Sequence, residues 1–231
     1  MIPFRDNVPC RHMPWMTWTL IGLNFGIFLL TQFLDPPALR DILHLYGLVP
    51  ARYAHPDWAH WAGYPPGDYR PFVTALFLHG GWLHVVLNQW MLWVFGDNIE
   101  DRMGPWRFLG FYLVCGVLSL LLHSFANPDS PLPAVGASGA IAGVLGAYYF
   151  LYPYAKLVLW VPVFFLPIFI EVPAIAFLGV WVIIQLAKIT AAPDAGASVG
   201  DVAWWGHLGG FLAGAALFRL FLRRDEETKT P

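Results

Sequence analysis

Gly206-His207-Leu208-Gly209-Gly210-Phe211-Leu212-Ala213-Gly214 lies near the start of a long apolar run, Ala203–Leu222. Gly206, Gly210 and Gly214 recur at every fourth position, which places them on one stripe of a helix. A run of about 20 mostly apolar residues is long enough to cross a bilayer, and stripes of small residues let two such helices touch closely. A second stretch answers the first: Gly136-Ala137-Ser138-Gly139-Ala140-Ile141-Ala142-Gly143, with Gly139, Gly143 and Ala147 at the same spacing. Ser138 precedes one stripe by a residue, and His207 follows the start of the other by a residue. If the stripes pack together, serine and histidine flank the contact. Glycine stripes alone do no more than pack helices. The polar pair asks for a function, because ionisable residues inside spans are costly and mark sites.

The rest of the chain extends the membrane reading. Hydrophobic residues make up 58% and charged residues 12% of the 231 positions, against about 25% charged in soluble domains. A net charge of −2 without a large basic block gives no reason to expect a nucleic-acid partner. Cys10 and Cys115 form neither a disulfide framework nor a metal site. Six spans are expected: Trp15–Leu34, Trp82–Phe95 (starting a turn earlier, near Leu78), Pro105–Phe125, Gly136–Tyr152, Val172–Ile189 and Ala203–Leu222. The fold class read from this is an all-α membrane protein, a six-transmembrane-helix bundle. Pro162, Pro167 and Pro173 interrupt the apolar region after Leu157, which therefore reads as an interfacial loop before the fifth helix. The expected organisation is a cytoplasmic segment at 1–14, a core at 15–222 and a cytoplasmic tail at 223–231.

Basic residues set the orientation. With the N-terminus inside, inner segments carry Arg5, Arg11, Arg102, Arg107, Lys156, Arg219, Arg223, Arg224 and Lys229, and outer ones only Arg40, Arg52, Arg70 and Lys188. Both termini are then cytoplasmic. Helices two, four and six run inward from the outer face. His84 with Asn88, Ser138, and His207 fall within about two turns of their outer ends.

Residues of these types at one depth point to acyl transfer. A serine hydroxyl attacks a carbonyl once a base removes its proton, and histidine is the usual base. Asn88 and His84 share a face at i, i+4. With the Ser138 N–H at a helix start, they could hold the developing oxyanion. Ala140 excludes the soluble G-x-S-x-G elbow. No carboxylate lies near either residue in sequence, which favours a Ser138–His207 dyad over a triad. His79 reads as a structural or loop histidine. Neither a metal nor a cofactor is called for, since H-E-x-x-H is absent. Glu100, with Arg102 and Gly104, reads as a structural cap at a tight inner loop.

At these residues the chain resembles the rhomboid family of intramembrane serine proteases. The matching stretches are F-L-H-G-G-W-L-H-V-V-L-N at 77–88, Glu100 to Gly104, G-A-S-G-A-I-A-G at 136–143 and G-H-L-G-G-F-L-A-G at 206–214. I-P-F-R-D-N at the N-terminus resembles the leader of bacterial members. The resemblance implies Ser138 as nucleophile, His207 as base, and His84, Asn88 and the Ser138 N–H as oxyanion hole. It further implies transmembrane protein substrates cut near the outer face, with small residues at the cleaved bond. The fifth helix and the loop near Lys188 to Gly200 would be gate and cap, in a bacterial inner membrane among lipids. Two positions depart from the pattern. Ala142 stands where many members carry an aromatic that packs on the histidine, a place Trp204 or Trp205 could fill. Gly206 stands where alanine is common.

Three rival classes meet obstacles in the sequence. An inactive helix-binding relative would be expected to lose the serine or the histidine. A transporter would want intramembrane carboxylates, and only Glu171 approaches that. An aspartyl protease would need two embedded aspartates, and Asp97 and Asp201 read as helix ends.

Overall fold

The computed structural model describes residues 2–163, 166–191 and 203–223. Among them, the long helices are α1 (Trp15–Thr31), α6 (Trp82–Met103), α7 (Pro105–Ala126), α8 (Ser138–Leu151), α9 (Ala174–Ala191) and α10 (Trp204–Phe221). Short helices α2 (Pro36–Tyr46), α3 (Ala51–Ala54), α4 (Pro56–Trp61) and α5 (Pro71–Thr74) fill the segment between α1 and α6. Two helices, Pro105–Ala126 and Ala174–Ala191, are both long and apolar enough to cross a membrane by length and composition. The second expected span begins at Trp82 rather than near Leu78, and it continues through Asp97 to Met103.

The all-α expectation is corrected. Strands β1 (Ile2–Arg5), β2 (Lys156–Val163) and β3 (Leu166–Pro173) form an antiparallel sheet in the order β1-β2-β3. The segment read as an interfacial loop is this hairpin, in register from Lys156 opposite Pro173 to Val163 opposite Leu166. Prolines exclude a helix there but are tolerated on strand edges. The backbone pairs instead across the hairpin and with residues 2–5. The N-terminal segment is stitched down beyond the strand. Trp90 Nε1 donates to Pro3 O (2.6 Å), and Lys156 N donates to Asn7 Oδ1 (2.8 Å). Asp6 accepts from the Tyr148 hydroxyl and from Asn98 Nδ2.

At the core, α8 packs against α7 and α10 and is buried almost throughout, from Gly139 to Tyr148. A Cβ on Gly210 would fall on Gly139 O, and one on Gly214 on Gly143 O. The two backbones are in contact along the predicted stripes, so no larger residue fits between them. Around this centre the helices turn apolar residues outward. In α9 only Ala174, Leu178 and Gln185 are buried, while Val180, Ile183, Ile184 and Leu186 are exposed.

Two polar devices hold the periphery. The buried Glu100 accepts from Met16 N (3.0 Å), Thr17 N (2.7 Å) and Thr17 Oγ1 (2.8 Å). It therefore caps the orphan donors of α1 from 83 residues away. The structural-cap reading thus acquires a specific client. In the segment after α1, Asp68 pairs with the buried Arg52 (2.8 Å) and with Arg70 (2.8 Å). The Arg52 guanidinium also lies over Tyr64, 5.1 Å from the ring centroid. That segment is joined to the approach to α8 through Leu48 and Ala134, which exchange backbone hydrogen bonds of 3.0 and 2.8 Å.

Gly214→Val should lower the unfolding temperature in detergent, since the new carbon meets backbone and overpacking costs about 1–3 kcal/mol. Gly26→Ala, with open space at its Cβ, should not. Hydrogen bonds from Arg70, aided by Arg52, hold the Asp68 carboxyl well below the usual carboxylate range. Its stabilising effect is complete above the unfolded value of about 3.9 and is lost as pH falls toward the folded one. Asp68→Asn should therefore melt earlier than wild type at pH 7, and the gap should narrow below about pH 4.

Candidate active site

The serine is placed by the segment that leads into α8. Gly136 N donates to Ala75 O (2.9 Å), and Gly136 has φ +126°, a conformation that favours glycine. α8 then begins at Ser138, whose N–H is one of the helix's unpaired first donors. Gly136 also makes room for the neighbouring helix. A Cβ there would come within 2.7 Å of His84 Nε2 and 3.6 Å of Asn88 Nδ2. Both side chains of the predicted i, i+4 pair thus converge on the backbone two residues before Ser138. His79 packs behind His84, ring centroids 5.2 Å apart, in keeping with its structural reading.

A cavity of about 680 Å³ is lined by His84 and Asn88 of α6, Ser138 and Ala142 of α8, Gln185 and Trp181 of α9, and Trp204 and His207 of α10. All four side chains singled out in the sequence therefore share one space. Asn88 is 7% exposed, and its Nδ2 has no hydrogen-bond partner among the described residues. Buried polar groups are nearly always paired, so an orphan donor on a cavity wall calls for an explanation. Ser138 and His207 line the same cavity without a hydrogen bond between them, and catalytic bonds are often loose without substrate.

The position of His207 rests on one contact the sequence offered, with Trp204, and on two it did not, with Gln185 and Trp181. Its Nδ1 lies 2.9 Å from Gln185 Oε1. The Trp181 ring centroid is 5.9 Å from the imidazole at 31°, and that of Trp204 is 5.9 Å at 87°. Of the two tryptophans considered as stand-ins for the missing aromatic, Trp204 makes a ring contact, and it is joined by Trp181. Ala142 is 1% exposed against α10, 3.2 Å from where a Gly210 Cβ would sit. A signal for Gln185 was present in the sequence: it is the only amide in an apolar run, where polar residues mark sites. The loop expected to cap the site lies, over 192–200, outside the described residues.

The family model described as the Rhomboid domain matches residues 66–224. The chain belongs to the rhomboid family. It is 27% identical over 207 residues to Rhomboid protein 1, mitochondrial, of Saccharomyces cerevisiae, covering 88% of this chain and 52% of that one. Over 81 residues it is 41% identical to the Rhomboid protease GluP of Bacillus subtilis, covering 35% of this chain and 15% of the relative. Rhomboid-like protease 5 of Toxoplasma gondii is 40% identical over 85 residues, 35% of this chain and 9% of the relative. The chain spans about half the length of the first two curated relatives it matches. Rhomboids are membrane-integral, the family is known for intramembrane proteases, and two of these three relatives are named proteases. Mitochondrial and chloroplastic proteins stand among the relatives beside bacterial ones, so the comparisons carry membrane integration but not the bacterial inner membrane expected above.

Gly136→Ala should push the His84 ring from its place and cost about 1–3 kcal/mol by overpacking, in addition to the strained φ. Gly81→Ala, with open space and an extended φ of 172°, should leave melting unchanged. Thermal unfolding and a crystal structure of each variant would check both outcomes.

Proposed function

We propose that this protein is an intramembrane serine endopeptidase that cuts transmembrane segments of other membrane proteins with a Ser138–His207 dyad. The observation that carries this reading is the unpartnered Asn88 Nδ2, which shares a cavity with Ser138 and His207. Neutral His207 takes the proton from Ser138 Oγ as the oxygen attacks the scissile carbonyl. The carbonyl π electrons move onto oxygen, where Asn88, His84 and the Ser138 N–H receive the charge. Collapse expels the amine, which takes its proton from His207 and leaves an acyl-serine. Water, deprotonated by His207, then releases the acid and restores the serine.

Six spans with both termini cytoplasmic fit the distribution of basic residues. α8, at 14 residues, is about 21 Å long, shorter than a hydrocarbon core of about 30 Å. Its serine end is then recessed and needs a water-filled route. Helices two, four and six in this orientation set the cleavage near the outer face. The partners are transmembrane proteins and the surrounding lipids, and no nucleic acid is involved.

Ser138→Ala and His207→Ala should abolish cleavage of a single-span substrate in detergent while melting within a few degrees of wild type. Turnover by Ser138→Ala would overturn the assignment. Asn88→Ala should retain slow cleavage, reduced by ~10²–10³, the usual cost of one oxyanion donor. For topology, Ala62→Cys should react in intact cells with a membrane-impermeant thiol reagent, whereas the exposed native Cys10 should react only after lysis. The reverse pattern would turn the site inward.

A further inference from the structure

Gln185 is 3% exposed on a helix that turns its large apolar side chains outward. A buried amide in such a place is costly unless both its ends are satisfied. Here both are. Gln185 Nε2 donates to Trp181 O, one turn back, at 3.1 Å, and Oε1 faces His207 Nδ1 at 2.9 Å. The first bond decides which way the amide points. With nitrogen and oxygen exchanged, the amide oxygen would face a carbonyl oxygen, two acceptors with no proton between them.

An acceptor facing Nδ1 requires a hydrogen there. A neutral imidazole carries one N–H, so Nε2 is left with the free lone pair. With Nδ1 engaged by Gln185, Nε2 is the nitrogen left to act as a base in the cavity that His207 shares with Ser138. The Trp181 ring, tilted 31° to the imidazole, and the Trp204 ring, nearly perpendicular to it, both have centroids 5.9 Å away and restrict its turning. α9 thus supplies both the acceptor that selects the tautomer and a ring that confines it.

We propose that Gln185 is the positioning residue of the dyad: through its carbonyl oxygen it holds His207 in the Nδ1–H tautomer, with Trp181 restricting the ring. This rests on the dyad reading above. The arrangement is a histidine oriented by a neutral amide from a neighbouring helix, in place of a carboxylate. Among the described residues, the titratable groups acting on His207 are His84 of α6 and His123 of α7, with the Ser138 hydroxyl on α8. A carboxylate at position 185 would be the first anion to face the ring.

The test uses the full-length protein in detergent, with covalent labelling of Ser138 by a fluorophosphonate and cleavage of a single-span substrate, each across pH. Gln185→Met keeps the volume and removes the acceptor. It should slow labelling and kcat by roughly 10–10²-fold, the order seen when a metal-bound histidine loses its orienting partner, with KM unchanged. Gln185→Glu keeps an acceptor and should restore most of that rate at high pH. It should also move the labelling midpoint to higher pH, because an anion beside the ring favours the imidazolium. A purely structural glutamine would lower labelling by both variants only in step with their melting temperatures, with no recovery of rate in Gln185→Glu beyond its recovery of stability. That result, or wild-type labelling by Gln185→Met, overturns the proposal. If Gln185→Met proves too unstable to assay, Gln185→Asn, whose amide is a methylene too short to reach Nδ1, takes its place with the same expected loss. Ser138→Ala and His207→Ala run alongside. If either still cleaves, the dyad reading itself fails; if both are dead and Gln185→Met is unaffected, the dyad stands and only the positioning role falls.

Discussion

The packing of this fold turns on an absence, that of side chains at Gly139, Gly143, Gly210 and Gly214. The backbones of α8 and α10 meet where a Cβ on Gly210 or Gly214 would overlap a carbonyl oxygen of α8, while one on Gly139 or Gly143 would strike Ser119 or Cys115 of α7. In a bilayer this has particular weight, because lipid is as apolar as leucine and helices associate through close packing more than through the hydrophobic effect. The contact also fixes the register of the two helices that carry Ser138 and His207. A slip of one residue would rotate Ser138 or His207 by about 100° and take it off the shared cavity.

Around that contact, polar groups do the placing and apolar groups face outward. Glu100 closes the open end of α1, and the Arg52–Asp68–Arg70 cluster stiffens the segment between α1 and α6. Through the Leu48–Ala134 pairing and the bond from Gly136 N to Ala75 O, that segment holds the chain that enters α8. The serine is therefore positioned from two sides, by the helix stripe behind it and by the segment between α1 and α6 ahead of it. His84 and Asn88 reach the same place because Gly136 leaves them the space.

The cavity differs from what the resemblance implied in one respect that follows from packing. With Ala142 buried against α10, the imidazole is held by α9 and by its own helix instead of by the serine's helix. Ser138 and His207 are then held by different neighbours. The geometry of the pair depends on how α9 sits as well as on how α8 meets α10.

The sequence by itself determined the features that need only local periodicity. Apolar runs of span length, glycines at every fourth position, and a serine and histidine beside those glycines are all properties of neighbouring residues on one helix. The matches to one family follow from the same stretches. The sheet was not legible, because its first strand lies more than 150 positions from the hairpin it joins, and prolines in that hairpin signal only that a helix must stop. Glu100 was legible as a cap but not as the cap of α1, and Gln185 was passed over among its apolar neighbours. Each of these depends on which atom of one segment faces which atom of another. A hydrogen bond is directional over a few tenths of an ångström, and no spacing along a chain encodes that. The tertiary structure alone turned the amide of Gln185 toward His207.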